Sequence, residues 1–250
     1  MKEVTSGIYQ LELPLPVTGL KYVNTYLVKG DNGYLLIDTG WNTREAFDSM
    51  ERQMAEIDIS FKDISQIAVS HIHPDHYGLA GRIKQLSQAR LFIHHLEENL
   101  IEPRYINMGG LLAQLEHWLH VNGVITDELP QLQGASLGME RFVASALPDT
   151  RLYGNEVISS GLFSFQVIWT PGHSPGHICL YEPARKILVS GDHILPTITP
   201  NIGLHPQSSG NPLGDYLNSI NEIKELDVDL VLPGHENPFN DLPSRIEQLI

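Results

Sequence analysis

Three imidazoles and a carboxylate fall within six residues in the run His71-Ile72-His73-Pro74-Asp75-His76. At that density these are the side chains that hold divalent transition metals. The run follows Ile67-Ala68-Val69, an apolar stretch that reads as a buried strand, so the histidines stand at its C-terminal end. In extended backbone His71 and His73 point to the same side, and their ring nitrogens can converge on one cation. Pro74 holds His73 extended. Beyond the proline a turn lets Asp75 and His76 face a second point close to the first, an arrangement suited to a pair of metals.

Similar endings recur downstream. Thr170-Pro171-Gly172-His173 follows the run from Phe163 to Trp169, Ser190-Gly191-Asp192 follows Ile187-Leu188-Val189, and Pro233-Gly234-His235 follows the run from Asp229 to Leu232. Glycine and proline beside each candidate ligand let the backbone turn sharply into a compact site. Asp38 ends the apolar run from Tyr34 to Ile37. It is placed either to hold the second N–H of a ligating histidine or to cap a turn.

The elements that must position these groups follow from periodicity. Ile8 to Leu13, Val23 to Val28 and Tyr34 to Ile37 read as strands of one meander. Thr43 to Ile57 carries Phe47, Met50, Met54 and Ile57 at helical spacing, Gly78 to Leu86 reads as a second helix, and Leu91 to Ile93 as a short strand. From Leu96 to about Leu147 the character is helical, with one stripe at Leu111, Leu112, Leu115, Trp118 and Leu119 and another at Phe142, Val143 and Ala146. This stretch is expected to pack as an inserted helical cap. His117 and His120 within it read as helical surface histidines. Strands resume at Phe163 to Trp169, Ile178 to Tyr181 and Ile187 to Val189, then a helix over Leu213 to Leu226, a strand over Asp229 to Leu232 and a helix from Leu242. Two such halves imply two stacked sheets with helices outside. The last helix pattern runs to Ile250, so a further C-terminal segment is an expectation.

At 250 residues and 42% hydrophobic the composition is that of one globular domain. A formal charge of -14 repels nucleic acid and anionic membrane at long range, so the expected partner is a small molecule. Cys179 is the single cysteine, which excludes a disulfide framework and reads as a buried thiol. The start MKEVTSGIYQ lacks the apolar core of a secretion signal, and no apolar run reaches a membrane span. A cytoplasmic location is the expectation.

With these motifs the chain resembles the metallo-β-lactamase-fold hydrolases, whose HxHxDH it carries as His71-Ile72-His73-Pro74-Asp75-His76. Thr170 to His177 and Ser190-Gly191-Asp192 resemble the glyoxalase II-like branch. The resemblance implies an α/β fold, a four-layer αββα sandwich, spanning residues 1–250 apart from the helical insertion at about 96–147. It implies that His71, His73 and His173 hold one metal, that Asp75, His76 and His235 hold another, and that Asp192 bridges them. His177 then lies beside the site without ligating. A His-rich, carboxylate-bridged pair suits zinc best and admits iron or manganese.

Two divalent metals sharing a hydroxide would supply a nucleophile near neutral pH, with Asp75 as the catalytic residue holding its proton. The expected activity is hydrolysis of a small ester, thioester or lactone. The same site could serve a phosphodiesterase or nuclease, or an iron-dependent oxidoreductase resembling the sulfur dioxygenases. A β-lactamase of the exported kind is disfavoured by Asp192, and glyoxalase II itself by the lack of its glutathione-binding helices after the fold. His193, His205 and Tyr105 are candidates to touch the substrate. Tyr105, Ile106, Met108, Leu111 and Leu112 are expected to form a wall suited to an uncharged acyl group.

Overall fold

The computed structural model describes residues 1–16, 19–125 and 139–250. Part of the predicted 96–147 insertion, residues 126–138, therefore lies outside the described residues. The first sheet comprises β1 (Lys2–Thr5), β2 (Ile8–Pro14), β3 (Tyr22–Gly30), β4 (Gly33–Ile37), β5 (Ile64–Ala68), β6 (Arg90–His94) and β7 (Thr150–Leu152), in sequence order. Strands β1 to β4 pair antiparallel, and β4 to β7 parallel. The second sheet comprises β8 (Val157–Ser160), β9 (Phe163–Trp169), β10 (Ile178–Glu182), β11 (Ile187–Gly191) and β12 (Leu230–Pro233). Its one parallel pair is β11 with β12.

Four layers follow from where the apolar side chains go. Leu36 of β4, Ile67 of β5 and Leu91 of β6 face helices, while their neighbours Ile37, Ala68 and Phe92 face the second sheet. Both faces of these strands are covered, which is why they read as continuous apolar runs rather than as alternation. Between the sheets, Ile8, Tyr26, Leu35 and Ile37 meet Phe165, Val167, Leu180 and Val189. A third cluster packs Cys179, Leu188 and Val231 against α6 (Pro212–Lys224) and α7 (Leu242–Leu249) through Tyr216, Ile220 and Ile246.

Helix α1 (Arg44–Ala55) starts at the N-cap Thr43, whose side chain accepts from the Ala46 amide. It buries Phe47, Met50 and Met54 against the first sheet, where truncating either methionine would cost about 2–5 kcal/mol. A single turn, α2 (Pro74–Tyr77), begins inside the histidine motif with proline at its first position, and α3 (Ala80–Ser87) follows. The insertion contains α4 (His95–Tyr105) and α5 (Gly109–Val121).

Phe142, Val143 and Ala146 do not form a helical stripe. Glu140–Phe142 is a 3-10 turn, after which the chain runs extended, because its backbone is bound to the core instead. Asn42 donates to the Phe142 carbonyl, Gly81 to that of Ala144, and Ala144 to that of Gly78. Strands β1, β7 and β8 carry no sequence signal long enough to be read. No helix among the described residues is long and apolar enough to cross a membrane.

Candidate metal centre

All the sequence-predicted ligands converge at one edge of the sandwich, because each follows the C-terminal end of a strand. His71 and His73 follow β5, His173 follows β9, Asp192 follows β11 and His235 follows β12. Asp75 and His76 lie in α2. His71 Nε2, His73 Nδ1 and His173 Nε2 stand 2.9 to 3.2 Å from one another. A second group brings Asp75 and His235 to 3.3 Å, and His76 Nε2 to 3.3 Å from Asp192. The other Asp192 oxygen is 3.6 Å from His173 and 3.5 Å from His235, so this carboxylate touches both groups.

Hydrogen bonds on the far side of each ring decide which nitrogen faces inward. His173 Nδ1 donates to the Asn201 carbonyl at 2.8 Å and His235 Nδ1 to that of Tyr22 at 3.1 Å. His76 Nδ1 is 2.7 Å from Asp38. Ser70 Oγ gives its hydrogen to Asp38, and so accepts from His71 Nδ1 at 3.0 Å. In all four rings Nδ1 is committed outward and Nε2 faces the cluster, so that in the neutral ring its lone pair points inward. Lone pairs facing one another at about 3 Å repel unless a cation lies between them. The buried His76 Nε2 and one Asp192 oxygen have no hydrogen-bond partner among the described residues. The donor set fits a metal.

The chain's own electrostatics divide the cluster: His71 and His73 are held neutral, whereas His76 and His235 carry protons that a metal would displace. Burial and the neighbouring imidazoles hold His71 and His73 well below the usual histidine range, as ligands must be neutral. Burial works against charge on His76 and His235 too, but Asp192 heads the carboxylates that outweigh it, lifting His235 to about 10. In Asp192 burial is outweighed by these two histidines, which hold its carboxyl well below the usual range.

Asp38 is the hub behind the first loop. It is buried, and it accepts the Ser70 amide and hydroxyl as well as His76. His177 does the same for Asp192. Its Nε2 accepts the Asp192 amide at 3.2 Å and its Nδ1 bonds Thr170 Oγ1 at 2.8 Å, so both nitrogens are spent away from the cluster. Gly191 at φ +50° makes this turn possible, since a Cβ there would lie 2.7 Å from His177 Nε2.

Residues 18–235 match the family model of the metallo-beta-lactamase superfamily. The chain belongs to that superfamily. Among its relatives, a probable metallo-hydrolase of Bacillus subtilis strain 168, YqjP, is 29% identical over 98% of this chain and 76% of its own length. The human acyl-coenzyme A thioesterase MBLAC2 is 27% identical over 95% of this chain and 81% of its own. The crystal structure of a metallo-beta-lactamase family protein from Thermus thermophilus, TTHA1429, superposes with a TM-score of 0.87 at 29% identity, covering 98% of this chain and 79% of that one.

Within this member of the superfamily, the sequence missed three positioning side chains, Glu97, Asn24 and Tyr26. Glu97, in the first turn of α4, is fully buried. One of its oxygens accepts the Ile72 amide at 2.8 Å, and the other accepts the Ser174 hydroxyl and the Gly176 amide. Gly176 is required for this approach, because a Cβ there would lie 2.8 Å from the Glu97 Cγ. Asn24 and Tyr26 of β3 donate to the Pro233 carbonyl at 2.9 and 2.7 Å, fixing the loop that presents His235.

A cavity of about 290 Å³ opens beside His73, between α4, α5 and the 205–207 loop. Tyr105, Met108, Leu111, Leu112 and Leu115 form its apolar wall, and His205 and Arg104 its polar one. Tyr105 offers only its ring, since its hydroxyl donates to the Ile72 carbonyl at 2.5 Å. Ile106 is not part of the wall; it is 62% exposed. His193 does not reach this space either. The turn that bonds its amide to the Ser190 carbonyl directs the ring inward, fully buried between His177 and Tyr216.

Proposed function

We propose that the chain is a dinuclear metal-dependent hydrolase of small acyl thioesters, with zinc as its metal pair. The observation that carries this reading is the cavity beside His73. Its aliphatic wall abuts a metal-ligand cluster, and its volume, at the small end of the range for ligand pockets, suits an acyl chain rather than a whole coenzyme. The likeness to an acyl-coenzyme A thioesterase over nearly the whole chain supports the same chemistry. When bound, the metals would acidify a water molecule and polarise the acyl carbonyl.

The chain's own residues do the rest. His71, His73 and His173 would hold one ion, Asp75, His76 and His235 the other, and Asp192 both. Asp75 is the least enclosed carboxylate of the cluster, its side chain 18% exposed. With one oxygen turned to His235, the other can hold the proton of the attacking water. The Met108, Leu111 and Leu112 side chains exclude solvent from the acyl group. Water oxygen bonds to the acyl carbon, the carbon–sulfur bond breaks, and the thiol leaves with one of the water's protons while the acid keeps the other.

Elemental analysis alongside hydrolysis of a panel of thioesters, esters, lactones and bis-p-nitrophenyl phosphate tests this. Two zinc ions per chain with thioesters turned over fastest is the expected result. Substitutions at Met108, Leu111 and Leu112 should shift acyl-length preference at constant metal content. Iron without hydrolysis, or cleavage of the phosphodiester alone, would overturn it.

A further inference from the structure

Among the described residues the wall of the cavity holds one cation. Arg104, in the last turn of α4, lines it together with His205 and Gln207. Its Nε donates to Gln207 Oε1 at 2.9 Å, which anchors the guanidinium plane to the 205–207 loop. The guanidinium also neighbours the Tyr105 hydroxyl, and of its five N–H bonds it still has some to give. Elsewhere Arg44, Arg151 and Arg185 pair with Asp48, Glu98 and Glu182, and Arg245 donates to the Leu195 and Ile198 carbonyls. Among the described residues Arg104, like Arg52, Arg82, Arg90 and Arg141, has no carboxylate at such range, and of these five it alone lines the cavity. Burial, then the Arg104 charge, depresses His205, so that imidazole neither adds to the charge nor offsets it near neutral pH.

A half-buried guanidinium beside aliphatic side chains gives up hydration that an uncharged acyl chain cannot restore. The group that restores it is a planar anion able to take two parallel N–H bonds. The described lining of the cavity is thus cationic in a chain of net charge -14, a local inversion that selects for an anion rather than for bulk attraction.

We infer that Arg104 binds a second carboxylate carried by the substrate's acyl chain, so that the thioesters this site takes are those of dicarboxylic acids. The inference rests on the thioesterase reading and narrows it. An anion could also come from the leaving group, as a coenzyme phosphate, and the test separates the two.

The metal-loaded protein is assayed with succinyl, glutaryl and adipyl thioesters against butyryl, valeryl and hexanoyl thioesters of equal length, each on N-acetylcysteamine and on coenzyme A. One of the dicarboxylic series is expected to be preferred at least tenfold on both thiols. In Arg104→Gln that preference ratio should fall about ten- to a hundredfold, through KM more than kcat, the loss expected of a hydrogen bond to a charged partner. Arg104→Lys should keep part of it. A preference seen only with coenzyme A esters assigns the cation to phosphate and overturns the inference. Calorimetric binding of the free diacids against the monoacids gives a readout independent of turnover. If diacid and monoacid bind the wild-type protein alike, the inference fails even where thioesters are hydrolysed. If the diacid binds better but no thioester is cleaved, Arg104 stands and the thioesterase reading falls.

Discussion

Glu97 holds the Ile72 amide at 2.8 Å from within the first turn of α4, so a residue of the insertion grips the backbone between His71 and His73. Its second oxygen grips Ser174 and Gly176 beside His173. One buried carboxylate thus sets the spacing of the two loops that supply the three-histidine group.

Glu97→Gln keeps the shape but places an amide N–H against one of these donors, so one loop is released. Metal affinity at the three-histidine group should fall about ten- to a hundredfold, the range for partners that orient ligands. Competition with a chromophoric chelator would reveal one weakened equivalent beside one intact. Two equivalents bound as tightly as in wild type would show that the grip is incidental.

Asp192 stands within 3.6 Å of histidines from both groups. Asp192→Ala should therefore lower metal content from close to two ions per chain, measured by elemental analysis after exhaustive dialysis. Unchanged occupancy together with an unchanged rate would remove the bridge.

Asp75→Ala should lose about 10²-fold or more in turnover even where metal is retained, as expected when a group that handles the proton is deleted. Single-turnover kinetics on a thioester at matched metal content makes the comparison. A wild-type rate would refute the role.

His94, fully buried and stacked on Trp169, is depressed to about 4 by burial and then by His95. The unfolded chain, with an ordinary histidine near 6.5, binds the proton first as pH falls. Stability from this residue is therefore whole above about pH 6.5 and is lost progressively down to about 4. At about 1.4 kcal/mol per pH unit between those two values, the loss is at most about 3 kcal/mol. Denaturation midpoints from about pH 7 to 4 should drop less steeply for His94→Gln than for wild type; parallel curves would contradict this assignment.

What could be read from the sequence was whatever combined an apolar run with a turn. His71, Asp192 and His235 follow strands covered on both faces and His173 follows an alternating one, and both patterns are distinctive. Glu97 was illegible for the opposite reason: beside Glu98 on an amphipathic helix it has the pattern of a solvated face, and only docking against the 170s loop buries it. Phe142, Val143 and Ala146 have helical spacing, but pairing with Gly78 and Gly81 outcompetes the weak local preference. His193 looked accessible beside a ligand, yet side chains of adjacent residues leave a turn in different directions.

Helix α5 has no buried residue, and among the described residues nothing lies within 4 Å of where a Cβ would stand on Gly109 or Gly110 at its start or on Gly123 beyond its end. The ligands, by contrast, are lashed to the sheets through Asp38, His177 and Asn24. Sequence change in α5 is therefore cheap in folding stability and reaches the cavity wall without disturbing the metal scaffold. That division makes the helix an exchangeable cassette: grafting the corresponding segment of a related chain between Asn107 and Gly123 is a direct route to a new acyl specificity on an unaltered catalytic frame.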